Sequence, residues 1–240
     1  MISALIYTKE YFSMKISLKR FLLFLFNPIE YVCKSKFFVL FFLKPLNTFL
    51  PKLSPGNVYK DVKIWQAEKH YVPEMYNTFD STSKEFLNYL FDSIKPSDSI
   101  LDLCCNQGRF LISLEKAGYS KLYGVDIMKT SIEKLAIYQG LGGTRIKCKH
   151  SLVQDYLREM PSNSIDYAIT YSASIELIHP SFDLFKELNR VTKKGFIFAI
   201  HEYGHSYPRF YRYLATKNMF HPVTIKKLSE APLSLLHYSC

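Results

Sequence analysis

Short apolar runs alternate with amphipathic stretches through the second half of the chain. An apolar run bounded by turn residues is typical of a buried parallel strand, and apolar positions at helical spacing are typical of a helix packed on a sheet. The pattern predicts strands at residues 100–103, 122–127, 145–152, 164–172 and 195–200. Helices are predicted at residues 84–94, 110–117, 131–140 and 182–191. This alternation predicts an α/β domain.

The end of the chain has a different pattern. After a helix predicted at residues 210–216, residues 220–228 alternate, with Val223 and Ile225 expected on one face. Glu230 and Pro232 then make a turn, and residues 233–238 can return antiparallel to the preceding run. The sequence therefore predicts that the sheet ends in a hairpin.

The turn after the first predicted strand carries the most informative residues. Residues 104–108 are small or turn-prone, and a helix is predicted directly after them. Free N–H groups at a helix N-terminus face a ligand, so a strand, turn and helix in this order predict a nucleotide-binding element. Asn106 is among the few residue types that tolerate a left-handed backbone, and Cys104 is small, so we expect the turn to form.

On these residues the chain resembles the class I S-adenosylmethionine-dependent methyltransferases. Asp102, Cys104, Asn106 and Gly108 occupy the four positions of their acid-x-Gly-x-Gly-x-Gly motif, with two glycines replaced. The dinucleotide fingerprint G-x-G-x-x-G would need glycine at Cys104, Asn106 and Arg109, and it fails at all three. The alternatives are an NAD-type oxidoreductase and a non-catalytic adenosyl-binding or membrane-scaffold protein.

The resemblance implies a Rossmann-like, doubly wound sheet of seven strands, mostly parallel with a C-terminal antiparallel hairpin. It also implies S-adenosylmethionine as the cofactor. The expected reaction is methyl transfer to an oxygen or nitrogen acceptor, which is a small molecule or is linked to a lipid or saccharide.

An acid ends the second predicted strand, about 20 residues after the turn. This acid is Asp126, whose position suits a carboxylate that binds both ribose hydroxyls of an adenosine, in a methyltransferase and in an NAD enzyme alike. The resemblance assigns Asp155 to the adenine amino group, although an Asp after a strand is often a helix cap. Ile127, Tyr171 and Ser172 complete the expected cofactor set.

The loop after the fourth predicted strand corresponds, by the resemblance, to the loop beside the transferred methyl group. Leu177 stands there where many relatives carry histidine, so the catalytic base is open and Glu176 is a structural as well as a catalytic candidate. Residues 201–205 match the zinc protease pattern H-E-x-x-H, which needs a helix. This copy follows a strand and contains Gly204, so no metal is expected.

Residues that leave the carboxyl end of a parallel strand lie where such sheets bind substrates. His201 and His205 are therefore candidate general bases, and a polar loop that orders the sheet edge is the alternative. The expected substrate-binding residues are Glu202, Tyr207 and Arg209, together with Trp65 and Tyr71 from a segment that folds over the cofactor in the resembled family.

The first 56 residues form an apolar, basic appendage, expected to be helical. Its apolar runs at 21–26 and 37–43 are far shorter than the ~18 to 20 residues that span a bilayer. Residues 1–50 hold seven basic and two acidic residues, and this excess of five positive charges is half of the formal net charge of +10. This pattern suits an anionic membrane surface, or packing against the domain or a partner subunit. Nucleic acid is not an expected partner, because no stacking or phosphate-binding repeat is present.

The sequence thus predicts three regions: the appendage at 1–56, a helical lid or cap at 57–96, and the methyltransferase domain at 97–240. Five cysteines give neither an even disulfide framework nor paired metal-site spacing. A reducing, cytoplasmic setting is therefore expected, with the protein peripheral on the inner membrane face.

Overall fold

The computed structural model describes residues 78–140, 146–172, 174–202, 207, 209–230 and 232–240. The appendage at 1–56 and the first part of the predicted cap, up to residue 77, lie outside them. The division into three regions therefore stays a prediction. No helix within the described residues is long and apolar enough to cross a membrane.

Helices and strands alternate along the described chain. The strands are β1 (Ser99–Leu103), β2 (Lys121–Asp126), β3 (Ile146–His150), β4 (Ile165–Tyr171), β5 (Thr192–Ile200), β6 (His221–Lys227) and β7 (Ser234–Ser239). The helices are α1 (Ser81–Ser93), α2 (Arg109–Lys116), α3 (Lys129–Gly140), α4 (Val153–Glu159), α5 (Leu184–Val191) and α6 (Tyr211–Lys217), with a 3₁₀ turn at Ile175–Leu177.

The strands form one seven-stranded sheet in the order β3-β2-β1-β4-β5-β7-β6. Strands β1 to β5 are parallel, and β7 runs antiparallel to both β5 and β6. This confirms the predicted Rossmann-like sheet with its C-terminal hairpin. The strand order reverses between β1 and β4, and ligands of such sheets bind at the carboxyl ends of the strands beside that point.

Helices cover both faces of the sheet and bury two apolar clusters. On one face Leu184, Phe185 and Leu188 of α5 pack with the aromatic residues of β5. On the other face Phe86 of α1 and Phe110 of α2 pack in the second cluster, with their rings 5.3 Å apart. The carboxyl edge of the sheet therefore lies between two layers of packed helices.

Two of the differences from the sequence prediction concern β3 and β6. Strand β3 ends at His150, earlier than predicted, because residues 153–159 already form α4. In β6 the register shifts between Pro222 and Thr224, and Val223 at this irregularity is 55% exposed. The prediction that Val223 and Ile225 share a face was wrong, because one irregular residue breaks the period of two.

Candidate functional site

The turn between β1 and α2 forms with non-glycine residues at two of the positions that the motif gives to glycine. Cys104, Asn106 and Gly108 have φ of 60°, 51° and 74°, so all three are left-handed. Backbone hydrogen bonds from Cys105 N–H to Val125 O (3.0 Å) and from Gly108 N–H to Cys105 O (2.8 Å) hold the turn. The expectation that Cys104 and Asn106 permit the turn is confirmed.

Gly108 is the residue from which α2 begins. Its φ of 74° favours glycine, and a Cβ there would lie 2.9 Å from the Cδ2 atom of Leu135 on α3. Glycine is therefore favoured by the backbone and by the packing of α3. No side chain caps the N-terminus of α2, which begins at the carboxyl edge of the sheet.

Asp126 ends β2 and is almost fully buried beside the turn. Its Oδ2 accepts a hydrogen bond from Asn106 N–H and its Oδ1 accepts one from Met128 N–H, both at 2.8 Å. Burial raises the pKa of Asp126, against the lowering effect of these hydrogen bonds. Each carboxylate oxygen has a second lone pair, so Asp126 can still accept hydrogen bonds from a ligand's hydroxyls.

Asp102 is the second buried acid at this edge, near the end of β1. Burial raises the pKa of its carboxyl well above the usual range, and the neighbouring Asp126 raises it further, while Arg109 opposes them. Two acids therefore lie together at the ends of adjacent strands. A ligand group that carries a positive charge suits this corner.

Two side-chain amides in the turn lack partners. Asn106 Oδ1 and Gln107 Nε2 are buried and have no hydrogen-bond partner among the described residues. Buried polar atoms in folded proteins are nearly always paired, so these two atoms fit a site that a polar ligand completes. Gln107 was not a sequence-based candidate, because its position in the motif is variable and only its burial without a partner singles it out.

The other predicted cofactor residues lie along the same carboxyl edge. Ile127 follows β2, and its carbonyl oxygen is 3.0 Å from His150 Nε2. Asp155 lies in the first turn of α4, exposed, with its Oδ1 3.3 Å from Arg158 Nη1. Tyr171 ends β4, and burial raises its pKa to about 12.

No pattern in the sequence indicates the contacts that Arg109, the first residue of α2, makes. Its guanidinium donates a hydrogen bond to Thr78 O (2.7 Å) and lies 5.3 Å, 4.9 Å and 5.1 Å from the ring centres of Phe79, Phe110 and Tyr171. Cation–π contacts of this kind are attractive. Arg109 thereby ties the chain just before α1 to the turn and to the end of β4.

Glu176 joins the ends of β4 and β5. Its side chain is fully buried, Oε2 accepts a hydrogen bond from Ser174 N–H (2.9 Å) and Oε1 accepts one from His201 N–H (2.7 Å). Burial raises the pKa of Glu176, while these hydrogen bonds and Arg209 lower it. Of the two roles left open by the sequence, this geometry favours the structural one.

The hydrogen bonds continue from Glu176 toward the cofactor turn. Ser174 Oγ is 2.6 Å from Thr170 Oγ1, and Thr170 Oγ1 also donates to Leu103 O at 2.7 Å. Leu103 is the last residue before Cys104. A buried polar chain therefore crosses the carboxyl ends of β1, β4 and β5.

His201 follows β5 and faces the end of β4. Its Nε2 is 3.2 Å from the Oγ of Ser172, a residue with a left-handed φ of 49°. Burial lowers the pKa of His201 below its usual 6.5, and the nearby Lys227 lowers it further. The imidazole is therefore neutral at pH 7 and is able to accept a proton.

The predicted substrate ligands after β5 are engaged with the protein itself. The buried guanidinium of Arg209 donates to the carbonyl oxygens of Ile178 and Tyr207. Tyr207 is also buried, and its N–H donates to Glu176 O at 2.9 Å. Glu202 is buried and pairs with Lys227 Nζ at 3.3 Å. For these residues the geometry favours the alternative, a polar loop that orders the sheet edge.

The remaining sequence-based candidates, His205, Trp65 and Tyr71, lie outside the described residues. Within the described part of the chain, no group of three or more His, Cys, Asp or Glu side chains is arranged to hold a metal ion. His201, the first histidine of the H-E-x-x-H pattern, follows a strand and does not lie on a helix.

A family model described as a methyltransferase domain matches residues 100–195, which run from β1 into β5. Over these residues the chain matches a methyltransferase domain, in agreement with its resemblance to the class I S-adenosylmethionine-dependent methyltransferases. This enzyme family uses S-adenosylmethionine, and the turn, Asp126 and the unpaired amides fit that cofactor. A search of curated proteins finds no match.

Solved structures share the fold of this methyltransferase. A Burkholderia thailandensis 1,6-didemethyltoxoflavin-N1-methyltransferase, with S-adenosylhomocysteine bound, has a TM-score of 0.63 at 12% identity over 77% of this chain and 91% of its own. A Synechocystis magnesium protoporphyrin IX methyltransferase with bound S-adenosylmethionine has a TM-score of 0.58 at 13% identity, over 75% and 96%. A Streptomyces coelicolor geranyl diphosphate C-methyltransferase has a TM-score of 0.52 at 12% identity, over 65% and 78%.

Proposed function

We propose that this methyltransferase transfers the methyl group of S-adenosylmethionine to an oxygen or nitrogen atom of a small-molecule or lipid- or saccharide-linked acceptor. The observation that carries the proposal is His201, a neutral imidazole at the carboxyl end of β5 beside Ser172. Oxygen and nitrogen acceptors often carry a proton that must leave, and a neutral imidazole accepts one near pH 7. The small-molecule acceptors in the names of two structural neighbours, a C-methyltransferase and an N-methyltransferase, support a small molecule as the acceptor.

The proposed cofactor residues act by holding and orienting. Asp126 accepts hydrogen bonds from the ribose hydroxyls, Asp155 accepts one from the adenine amino group, and the N–H groups of the turn and α2 face the remaining polar atoms. When bound, S-adenosylmethionine supplies an electrophilic methyl group. Orienting two reactants at one sheet edge provides much of the rate in such a transfer.

The acceptor and the base are tested together with the full chain. Purified protein and S-adenosylmethionine carrying a deuterated methyl group are incubated with a metabolite extract of cells lacking the enzyme, and labelled products are identified by mass spectrometry. We expect the label on oxygen or nitrogen. His201→Gln should slow its appearance by at least about a hundredfold, since general bases contribute about 10² to 10⁴.

The control is His221→Gln, which changes an exposed histidine on β6 and should leave the rate unchanged. The wild-type rate should fall as the pH drops below the lowered pKa of His201, since protonation removes the base. A label bound to carbon would contradict the acceptor proposal. An unchanged rate in His201→Gln would show that His201 is not the general base.

We further propose that the appendage at residues 1–56 holds the enzyme at an anionic membrane surface, as a region separate from the cap at 57–96 and the catalytic domain at 97–240. The support is sequence alone: short phenylalanine- and leucine-rich runs flanked by lysine and arginine. Vesicle flotation of the full chain and of a chain lacking residues 1–50 tests it. Full-length protein that does not float with anionic vesicles would contradict it.

A further inference from the structure

Two cysteine side chains meet behind the turn between β1 and α2. A Cβ atom added to Gly124 of β2 would lie 2.7 Å from the sulfur of Cys105 and 2.7 Å from that of Cys148. Two atoms that are both this close to one point are no farther apart than twice that distance. Cys105 belongs to the turn, and Cys148 belongs to β3, where it pairs with Gly124. Two thiols from separate parts of the chain therefore lie side by side.

Both sulfurs lie on the same face of the sheet. Cys105 is buried in the apolar cluster that contains Phe110, and Cys148 packs against that cluster. Cys104, the neighbour of Cys105 in the turn, packs instead against the cluster on the opposite face. All three are free thiols. Of the two cysteines in the turn, Cys105 is therefore the one that faces Cys148.

The two thiols differ in access and in acidity. Cys148 is half-buried on β3, which is an edge strand, whereas Cys105 is almost fully buried. A side-chain hydrogen bond with Cys148 raises the pKa of Cys105 well above its usual range, and burial raises it further. The thiolate is the nucleophile in disulfide exchange, and it must reach the sulfur that it attacks. Cys148 is therefore the thiol that meets an external disulfide first.

The backbone of Cys105 holds the turn together. Its N–H donates to Val125 O at 3.0 Å, and its carbonyl oxygen accepts from Gly108 N–H at 2.8 Å. Its sulfur lies 3.7 Å from Asn106 O. The sulfurs of a disulfide are about 2.05 Å apart, which is closer than two thiols that share a hydrogen bond. Formation of a disulfide would therefore draw Cys105 toward β3 and displace the turn.

We infer that oxidation joins Cys105 to Cys148 in a disulfide that weakens cofactor binding, and that reduction restores binding. The oxidant is a small external disulfide of the glutathione class. The Cys148 thiolate attacks one of its sulfurs and releases one thiol, and Cys105 then attacks the Cys148 sulfur and releases the second. Two protein thiols are thereby oxidised, one external disulfide is reduced to two thiols, and these thiols take up the two protons. The inference rests on the proposed placement of the cofactor at this turn.

Oxidation of the purified full chain with oxidised glutathione tests the bond. Peptide mapping without reductant, with fragmentation to distinguish Cys105 from Cys104, should find Cys105 linked to Cys148, and dithiothreitol should remove the link. Calorimetric titration with S-adenosylhomocysteine then compares the two forms. The oxidised chain should bind at least about tenfold more weakly than the reduced chain, which corresponds to a displacement of the turn that costs about 1.4 kcal/mol or more.

Three variants assign the effect to this pair. Reduced Cys148→Ser should bind S-adenosylhomocysteine within about twofold of wild type, and oxidised glutathione should leave its affinity unchanged. Cys105→Ala should likewise lose the response to oxidation. The matched control is Cys240→Ser, which removes an exposed thiol at the end of the chain and should respond to oxidation as wild type does. Thermal unfolding of each variant checks that it is folded.

The outcomes separate this inference from the proposed cofactor site. If no link forms, if other cysteines are linked in place of this pair, or if oxidised and reduced wild type bind equally, the inference is overturned while the site stands. A loss of affinity on oxidation that persists in Cys148→Ser would also overturn it. Reduced wild-type protein that does not bind S-adenosylhomocysteine would overturn the proposed site and the inference with it.

Discussion

Replacing Glu176 by alanine removes the carboxylate that joins the ends of β4 and β5. The N–H groups of Ser174 and His201, now bound at 2.9 Å and 2.7 Å, would be left buried without an acceptor. Arg209, buried nearby, would lose the negative charge that helps to balance it. The expected result is a large fall in the free energy of unfolding.

The size of the fall follows from the two hydrogen bonds. A hydrogen bond to a charged group contributes ~1.5–3 kcal/mol, so two contribute ~3–6 kcal/mol. Burial of the carboxylate opposes this gain, as the raised pKa of Glu176 indicates, so we expect a net loss of about 3 kcal/mol. Glutamine keeps one carbonyl acceptor, so Glu176→Gln should lose about half as much.

Urea unfolding followed by circular dichroism at pH 7 measures these changes. The control is Glu133→Ala, since Glu133 is exposed and pairs with Lys129 one helical turn away at 3.5 Å, which predicts a loss under about 0.5 kcal/mol. An alanine variant of Glu176 within about 1 kcal/mol of wild type would refute the structural role. If that stable variant were also inactive, Glu176 would be a catalytic residue.

Three further predictions concern the site and the sheet. Asp126→Ala should weaken S-adenosylhomocysteine binding at least about tenfold by calorimetry, and unchanged affinity in a folded variant would remove Asp126 from the site. Gly108→Val should abolish that binding and lower the melting temperature, because valine at φ 74° is strained and meets Leu135; normal binding would contradict the assignment of the turn. Burial lowers the pKa of His237 to about 4, so between about pH 6.5 and 4 only the unfolded chain gains a proton. Stability should therefore fall by up to about 3 kcal/mol as the pH drops through this window, and a His237→Gln variant that keeps the same pH dependence would contradict the assignment.

Local features of the sequence predicted most of the fold. Strands of the parallel sheet appear as apolar runs, and the turn could be predicted because asparagine tolerates the left-handed φ that Asn106 adopts. The irregularity at Val223 could not be predicted, because alternation continues through it in the sequence. Local chemistry thus predicts which elements form, and the pairing between strands sets their exact register.

In the candidate site, too, local patterns predict some residues, whereas contacts between distant residues determine the roles of others. Asp126 was predicted from its spacing after the turn, a feature within one βαβ unit. The role of Glu176 depends on its contact with His201, 25 residues away, and no local pattern reports that contact. The sequence predicts Arg209 as a substrate ligand because it follows the carboxyl end of a parallel strand, whereas the structure buries it against main-chain carbonyls.

The close packing around Gly124 in β2 is a further feature that the sequence does not indicate. A Cβ there would lie 2.7 Å from the sulfur of Cys105 and 2.7 Å from that of Cys148. The glycine therefore makes room for two side chains that come from the turn and from β3. No spacing pattern in the sequence predicts that these three residues lie close together.

The two edges of the sheet carry lysines. Strand β3 has Lys147 and Lys149, and strand β6 has Lys226 and Lys227. Strand β6 also contains Pro222, which has no N–H to donate. An open strand edge is a template for another chain, and charges and proline at the edge oppose such pairing. A second molecule that paired with either edge would have to disturb the ion pairs that Lys149, Lys226 and Lys227 form with Glu159, Glu85 and Glu202. Both edges of the sheet therefore oppose its extension into a second molecule.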